Sequence, residues 1–333
     1  MGIITDRLGG RRVFSALMLF SILPVVFIAL SSSYGMMLFG GFWLGMAGSS
    51  FAVGVPFVSR WFSTGKQGTA LGIFGAGNIG TALAAYSVPS IAAAYGWPWA
   101  FWLFVPILAA SAAAFWLLAE DAPGAPRPRS LGESLRVIQR ERLSWLLSFF
   151  YFITFGGFVA FSIYLPKLLV DWFGFDRVDA GLRTAGFVLV ATAARPFGGY
   201  LADRLGGARL LSWVFGITPA LAAVLAWQAL GPSIVPTTIV FLTMAMLLGM
   251  GNGGVFKLVA QYFPRNTGVV TGVVGAAGGL GGFFPPMVMG LVRDATGSYA
   301  IALVLLAAFL VAALATDIAV LLRRRTVSEP GTP

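Results

Sequence analysis

The chain has 333 residues, 58% of them apolar and only 10% charged, where water-soluble domains carry about 25% charged residues. A core of this size cannot hide so much apolar surface from water, so composition excludes a soluble domain and places the chain in a bilayer. Cysteine and histidine are both absent, which excludes disulfides, thiolate or imidazole metal sites and the usual proton relay near neutral pH.

In chain order, ten apolar stretches follow one another near 13–30, 34–59, 67–94, 97–119, 143–170, 179–202, 210–230, 235–262, 267–290 and 298–322. Each is long enough to cross a hydrocarbon core as a helix. They are too long and too continuously apolar for barrel strands, and open strands leave backbone groups unpaired in lipid. The predicted class is therefore an all-α membrane protein. Most connections are short. The exception, "EDAPGAPRPRSLGESLRVIQRER" over 120–142, is Pro-rich, polar and basic. It divides the chain into an N-terminal half bundle of four helices (1–119), a central loop (120–142), a C-terminal six-helix bundle (143–322) and a tail (323–333).

The formal charge of +10 follows the loops. One set of alternate connections holds Arg7, Arg11, Arg12, Arg60, Lys66, Arg127, Arg129, Arg136, Arg140, Arg142, Arg204, Arg209, Arg265 and Arg323 to Arg325. The other set holds little beyond Lys167, Arg177, Arg183 and Arg293. The positive-inside rule puts the first set, and both termini, in the cytoplasm. The expected location is the cytoplasmic (inner) membrane. The basic charge is thus a topology signal, and no basic folded domain is left to bind nucleic acid. Trp97, Trp99 and Trp102 fit an aromatic belt at the outer end of their span.

The chain repeats itself. Gly2, Asp6, Arg7, Leu8, Gly9 and Gly10 match Gly199, Asp203, Arg204, Leu205, Gly206 and Gly207. Further on, "GTALGIFGAGNIG" at 68–80 pairs with "GVVTGVVGAAGGLGG" at 268–282. A weaker match sets "RWFSTGKQG" at 60–68 beside "QYFPRNTG" at 261–268. Two halves repeated in the same order indicate a parallel internal duplication. In the second half two spans precede the DRLGG phrase; in the first half none does. The duplication leads to the expectation that Met1 is an internal methionine, that two helices precede it in the native chain, and that the 333-residue form inserts but transports poorly or not at all.

Arg195 lies inside the span 179–202, about two helical turns before Asp203. A charge at that depth is costly and should face a cavity or a partner. The only acid clearly inside a span is Asp317, so an anionic ligand is the reading preferred over a structural ion pair. The guanidinium fork suits a small planar oxyanion because it gives two parallel hydrogen bonds and keeps its proton. Gly72, Gly75, Gly77 and Gly80, and Gly275, Gly278, Gly279 and Gly281, are small residues that let helices approach closely. Asn78 is the one polar side chain within the first glycine run, able to donate to an anion or to bond a neighbouring helix. Lys257 is a second deep cation, read as reaching toward the cytoplasmic end. No catalytic triad, metal cluster or phosphate loop is present. "GAGNIG" matches a dinucleotide fingerprint in letters only, because it lies within an apolar span. The protein is not expected to be an enzyme, and no cofactor is implied.

The phrase "GIITDRLGGR" between helices resembles the loop motif of the major facilitator superfamily (MFS), whose fold has two six-helix halves. "KQGTALGIFGAGNIG" and "GVVTGVVGAAGGLGGFFPP" resemble the two signature stretches of the NarK-type nitrate/nitrite porters of that family. "YFITFGGFVAFS" and "ARPFGGYLADRLGG" resemble its seventh and eighth helices. The resemblance covers essentially the whole chain, with ten of the usual twelve helices present. It implies a secondary transporter for nitrate or nitrite, working as a monomer by alternating access, through exchange or proton symport. It also implies that Arg195, Asn78, Tyr151, Phe155 and Phe51 contact the substrate, and that the signature glycines line or pack the site. Asp6, Arg7, Asp203 and Arg204 become gating-loop residues that pair with helix ends across the halves. A second substrate arginine of the family falls before Met1. The alternatives are a facilitator for another small anion or organic solute, or a non-transporting or truncated membrane protein.

Overall fold

The computed structural model describes residues 1–123 and 141–322. The central loop expected over 120–142 and the tail over 323–333 thus fall largely or wholly outside the described residues. The first segment holds α1 (Gly2–Leu8), α2 (Gly10–Ala29), α3 (Tyr34–Leu44), α4 (Ser50–Ser59), α5 (Gln67–Gly75), α6 (Ile79–Tyr95), α7 (Trp97–Trp102) and α8 (Phe104–Leu118). The second holds α9 (Arg142–Phe173), α10 (Arg177–Leu205), α11 (Gly207–Gln228), α12 (Ile234–Tyr262), α13 (Thr267–Thr296) and α14 (Ala300–Asp317). No strand occurs among the described residues.

Nine stretches among the described residues are long and apolar enough to cross a membrane. The tenth expected span is α10, a 29-residue helix that carries more charge than the others. Arg177, Asp179 and Arg183 sit at one end, Asp203 and Arg204 at the other, and Arg195 between them. At 1.5 Å per residue α10 is about 43 Å long, more than enough to span a hydrocarbon core.

The two copies of the DRLGG phrase fold alike. Gly9 takes φ 86° between α1 and α2, and Gly206 takes φ 88° between α10 and α11. An L side chain rarely adopts such a φ, so glycine is what lets one helix end and the next start without a spacer. In the second half α9 packs along α13, α10 along α12, and α11 along α14.

The halves meet along two pseudo-equivalent seams. In one, α10 lies on α5 and α6; in the other, α13 lies on α4 and α1. Both seams run on glycine. A Cβ added to Gly199 would overlap the Gly68 carbonyl oxygen, and one added to Gly2 would overlap that of Gly268. These are the glycines the sequence repeat pairs up, so each loop-motif helix crosses the signature helix of the opposite half backbone on backbone.

Three spans are interrupted: 97–119 divides into α7 and α8 at Leu103, and two others break at 3-10 turns. A tight 3-10 turn over Gly45–Ser49 separates α3 from α4, and another over Ala76–Asn78 separates α5 from α6. Hydropathy alone predicts 34–59 and 67–94 as continuous. The glycines of "GMAGS" and "AGN", with Ser49 and Asn78, have weak helical preference, and 3-10 turns within a helix often mark functional hinges. The two 3-10 turns bring Ser50, Phe51 and Asn78 to the seams between the halves.

Candidate site at the centre of the bundle

Arg195 is 1% exposed, in the middle of α10. Its Nη1 donates to the Gly75 carbonyl at 3.3 Å. Asn78 Nδ2 donates to the same oxygen at 2.9 Å. Gly75 ends α5 just where the 3-10 turn begins, so its carbonyl leaves the regular helical ladder and can take both donors. Arg195 Nε and Nη2 are buried with no hydrogen-bond partner, and so is the phenol oxygen of Tyr151. Arg195 forms no salt bridge among the described residues.

Aromatic rings wall the arginine. Its guanidinium carbon lies 5.0 Å from the Phe158 ring centre and 5.5 Å from that of Phe155. Tyr151 and Phe155, one turn apart on α9, stack at 4.9 Å with parallel planes. Phe51 faces Phe155 at 6.1 Å from the other half. On the other side of these rings lies a cavity of about 520 Å³, lined among others by Phe51, Asn78, Tyr151, Phe155, Thr271, Gly275 and Gly279. Arg195 is not in the cavity wall. Phe155 is shared: its ring lines the cavity and also lies against the guanidinium.

The structure thus brings together all five side chains expected to contact substrate. The glycines divide by role. Gly72 and Gly75 press on Arg195: a Cβ would lie 2.5 Å from its carbonyl oxygen at Gly72 and 3.2 Å from its Cδ at Gly75. Gly278 makes room for the Tyr151 ring, and Gly281 for the Phe152 carbonyl. Gly275 and Gly279 line the cavity. Gly77 and Gly80 differ from expectation. Nothing lies within 4 Å of a Cβ at either, so neither packs a neighbour nor lines the cavity.

The loop motif closes the arginine-rich end of the bundle. Asp203 accepts from the backbone N–H groups of Gly68 and Thr69 at 2.9 and 2.7 Å, and from the Thr69 hydroxyl at 2.8 Å. These amides belong to the first turn of α5, where they have no helical acceptor and the helix dipole favours an anion. Asp203 also pairs with Lys257 at 2.7 Å, and Lys257 donates to the Thr64 carbonyl. The deep lysine is therefore the ion-pair partner of the second loop motif. Its partner was not legible from spacing alone, because α10 and α12 are joined only by packing. In the first half Asp6 pairs with Arg60 at 2.7 Å and lies 3.1 Å from a Cβ placed on Gly268, at the start of α13. Burial pushes the Asp6 carboxyl above its ordinary range, and the Arg60 guanidinium opposes that rise. Arg7 is exposed in the last turn of α1, and Arg204 lies 4.5 Å over the Tyr200 ring.

The two ion pairs differ in depth. The Asp203–Lys257 side chains are 6% exposed, whereas Asp6 and Arg60 are 16% and 20% exposed. Breaking a buried pair costs about 3 kcal/mol or more; a partly exposed one is worth about 1 kcal/mol. Asp203→Asn should therefore open the arginine-rich end much more than Asp6→Asn. The chain has no native cysteine, so a single cysteine at Ala52, in the cavity wall, can report this. Its reaction with maleimide entering from that end should speed up mainly in the Asp203 variant. Equal rates in both variants would refute the ranking.

Comparison with known proteins gives consistent matches. The sequence profile described as Major Facilitator Superfamily matches residues 1–286 and 147–333. A "nitrite extrusion protein" of Bacillus subtilis is 42% identical over 301 residues, covering 90% of this chain and 75% of that protein. A "probable nitrate/nitrite transporter NarK2" of Mycobacterium tuberculosis is 41% identical over 334 residues, covering 98% and 84%. Among solved structures, the human organic anion transporter MFSD10 superposes with a TM-score of 0.77 at 17% identity, covering 95% of this chain and 79% of that one. The Escherichia coli fucose:proton symporter FucP gives a TM-score of 0.72 at 18% identity, with 95% and 85% covered. These two likenesses concern the fold.

Proposed function

The chain belongs to the major facilitator superfamily, and we propose that it carries nitrate or nitrite across the membrane by alternating access. The observation that carries this reading is the unpartnered Nε–Nη2 edge of Arg195. That edge is the two-point donor for a planar oxyanion, and its burial makes each hydrogen bond stronger than in water. Nitrate and nitrite are both planar and small enough to sit among the rings of Tyr151, Phe155 and Phe51. The names of the similar bacterial proteins point to the same substrates.

In this conformation the anion's place beside Arg195 is shut off on both sides. Phe155 stands toward the cavity, and the Asp203 and Asp6 contacts close the arginine-rich end. Rocking of the halves about the glycine seams would separate α5 from α10. That movement withdraws the Gly75 carbonyl from Nη1, breaks the Asp203 cap, and lets the anion leave on the other side. Substrate favours the rocking by replacing the lost Gly75 contact with its own oxygens, a differential interaction between the two states.

The charge at this site is an arginine's, which keeps its proton through the cycle. Nitrate/nitrite exchange therefore suits it better than proton symport. The site lies within one chain, which suits a monomer in the cytoplasmic membrane, with both ends of the ten-span chain inside. Reporter fusions at Glu120 and Gly231 should then report cytoplasm and exterior respectively; the same compartment for both would overturn this topology. For the substrate, proteoliposomes preloaded with nitrite should take up nitrate faster than empty ones. Uptake driven only by a proton gradient would instead establish symport. Absence of any nitrate or nitrite flux, with an organic anion carried in its place, would overturn the substrate.

A further inference from the structure

The arginine is not alone in lacking partners. Asn252 on α12 is 1% exposed, and neither its amide nitrogen nor its amide oxygen has a hydrogen-bond partner. A buried amide unpaired at both ends is costly, and an apolar side chain of similar size would avoid that cost. The amide therefore points to something that comes and goes.

Its neighbours fix where it faces. Gly249, Asn252, Gly253 and Phe256 form one stripe at helical spacing along α12. Gly249 packs on the Ala191 carbonyl, and a Cβ on Gly253 would lie 2.9 Å from the Arg195 carbonyl oxygen. Phe256 lies 4.7 Å from the Tyr151 ring and 5.6 Å from the Phe51 ring. The stripe thus runs along the α10 backbone, from Ala191 at Gly249 to the Arg195 carbonyl at Gly253, and reaches the aromatic wall at Phe256. Asn252 and Arg195 also share a level: each stands about 15 Å from the inner end of its helix, at 1.5 Å per residue. Like Arg195, Asn252 is not in the cavity wall.

The donors divide among the anion's oxygens. Asn78 already gives a hydrogen to the Gly75 carbonyl, as does Arg195 Nη1; of the unpartnered buried donors, Tyr151 lines the cavity, whereas Asn252, like Arg195, lies outside its wall. The Arg195 Nε–Nη2 edge accounts for two oxygens of a planar anion. Nitrite has only two; nitrate has a third. We infer that Asn252 donates its amide N–H to the third oxygen of nitrate and so sets the preference for nitrate over nitrite. This rests on the reading that the site takes a nitrogen oxyanion through Arg195.

The test is calorimetric binding of sodium nitrate and sodium nitrite to the full chain in nanodiscs, with melting temperatures recorded alongside. Asn252→Ala should weaken nitrate binding about tenfold and nitrite binding less than threefold, a tenfold change being the size of one lost hydrogen bond. Asn252→Ser keeps a small donor and should recover part of the nitrate affinity; it also serves if the alanine variant does not fold. Equal losses for the two anions, or unchanged nitrate affinity in a folded variant, would overturn the assignment. If nitrate and nitrite binding both depend on Arg195 but not on Asn252, the inference alone fails. If the unmodified chain binds neither anion, the transport reading itself fails.

Discussion

Arg195→Ala is expected to abolish nitrate uptake while leaving the protein folded. The Nε–Nη2 edge supplies two charge-assisted hydrogen bonds, each worth about 1.5–3 kcal/mol. Losing both weakens binding by a factor on the order of a hundred or more. Arg195→Lys keeps the charge but not the planar fork, so binding should fall about tenfold or further. The fold should survive because Arg195 has no carboxylate partner among the described residues, so nothing is left uncompensated. Removing a desolvated charge from the bundle relieves a cost instead. Arg195→Met, which keeps much of the volume, should melt at or above the temperature of the unmodified chain while binding no nitrate. A lysine variant that binds nitrate as tightly as the unmodified chain would show that Arg195 is not the ligand. A methionine variant that melts far lower would show a structural arginine instead.

The second large effect separates two kinds of glycine. A Cβ on Gly72 would stand 2.5 Å from the Arg195 carbonyl oxygen and 2.8 Å from the Pro196 Cα. Both are backbone atoms of the opposite half, which cannot swing aside as a side-chain tip can. Gly72→Ala therefore excludes this closed arrangement of the halves without touching the interior of either. A Cβ on Gly281 would overlap the Phe152 carbonyl oxygen, but α9 and α13 belong to the same half. Gly281→Ala forces those helices apart inside a packed bundle, where overpacking costs about 1–3 kcal/mol or more. The expected result is loss of uptake in both variants for different reasons. The Gly72 variant should keep its melting temperature and show faster maleimide labelling of the Ala52 cysteine from the arginine-rich end. The Gly281 variant should melt lower, without that directional labelling. If both variants behave alike, the seam between halves does not carry the conformational change.

Much of this protein was legible one residue at a time. A bilayer leaves no water to satisfy backbone groups, so long apolar runs must be helices, and their number and order follow from the sequence. The duplicated DRLGG phrase announced two similar turns because only glycine readily accepts the backbone angle found at Gly9 and Gly206. Arg195 stood out because charge in an apolar span is too costly to be incidental. Asn78, Tyr151, Phe155 and Phe51 came from resemblance to a family, and the structure then brought them together.

What the sequence could not decide was partnership across helices. The breaks over Gly45–Ser49 and Ala76–Asn78 escape hydropathy, which reads these apolar stretches as continuous even though their glycines favour a break. Gly77 and Gly80 read like their neighbours in the signature, yet face open space, because a helix presents only one stripe to a partner. Asn252 is one polar residue in a long apolar run, and only the contacts of Gly253 and Phe256 show which way its stripe faces. Lys257 meets Asp203 only because α12 lies beside α10. Hydropathy and turn chemistry act on residues near one another in the chain, so sequence alone determined the spans and turns. The proposed anion site and the ion pairs near it are made of atoms from several helices of both halves, and only their packing could decide which side chains meet.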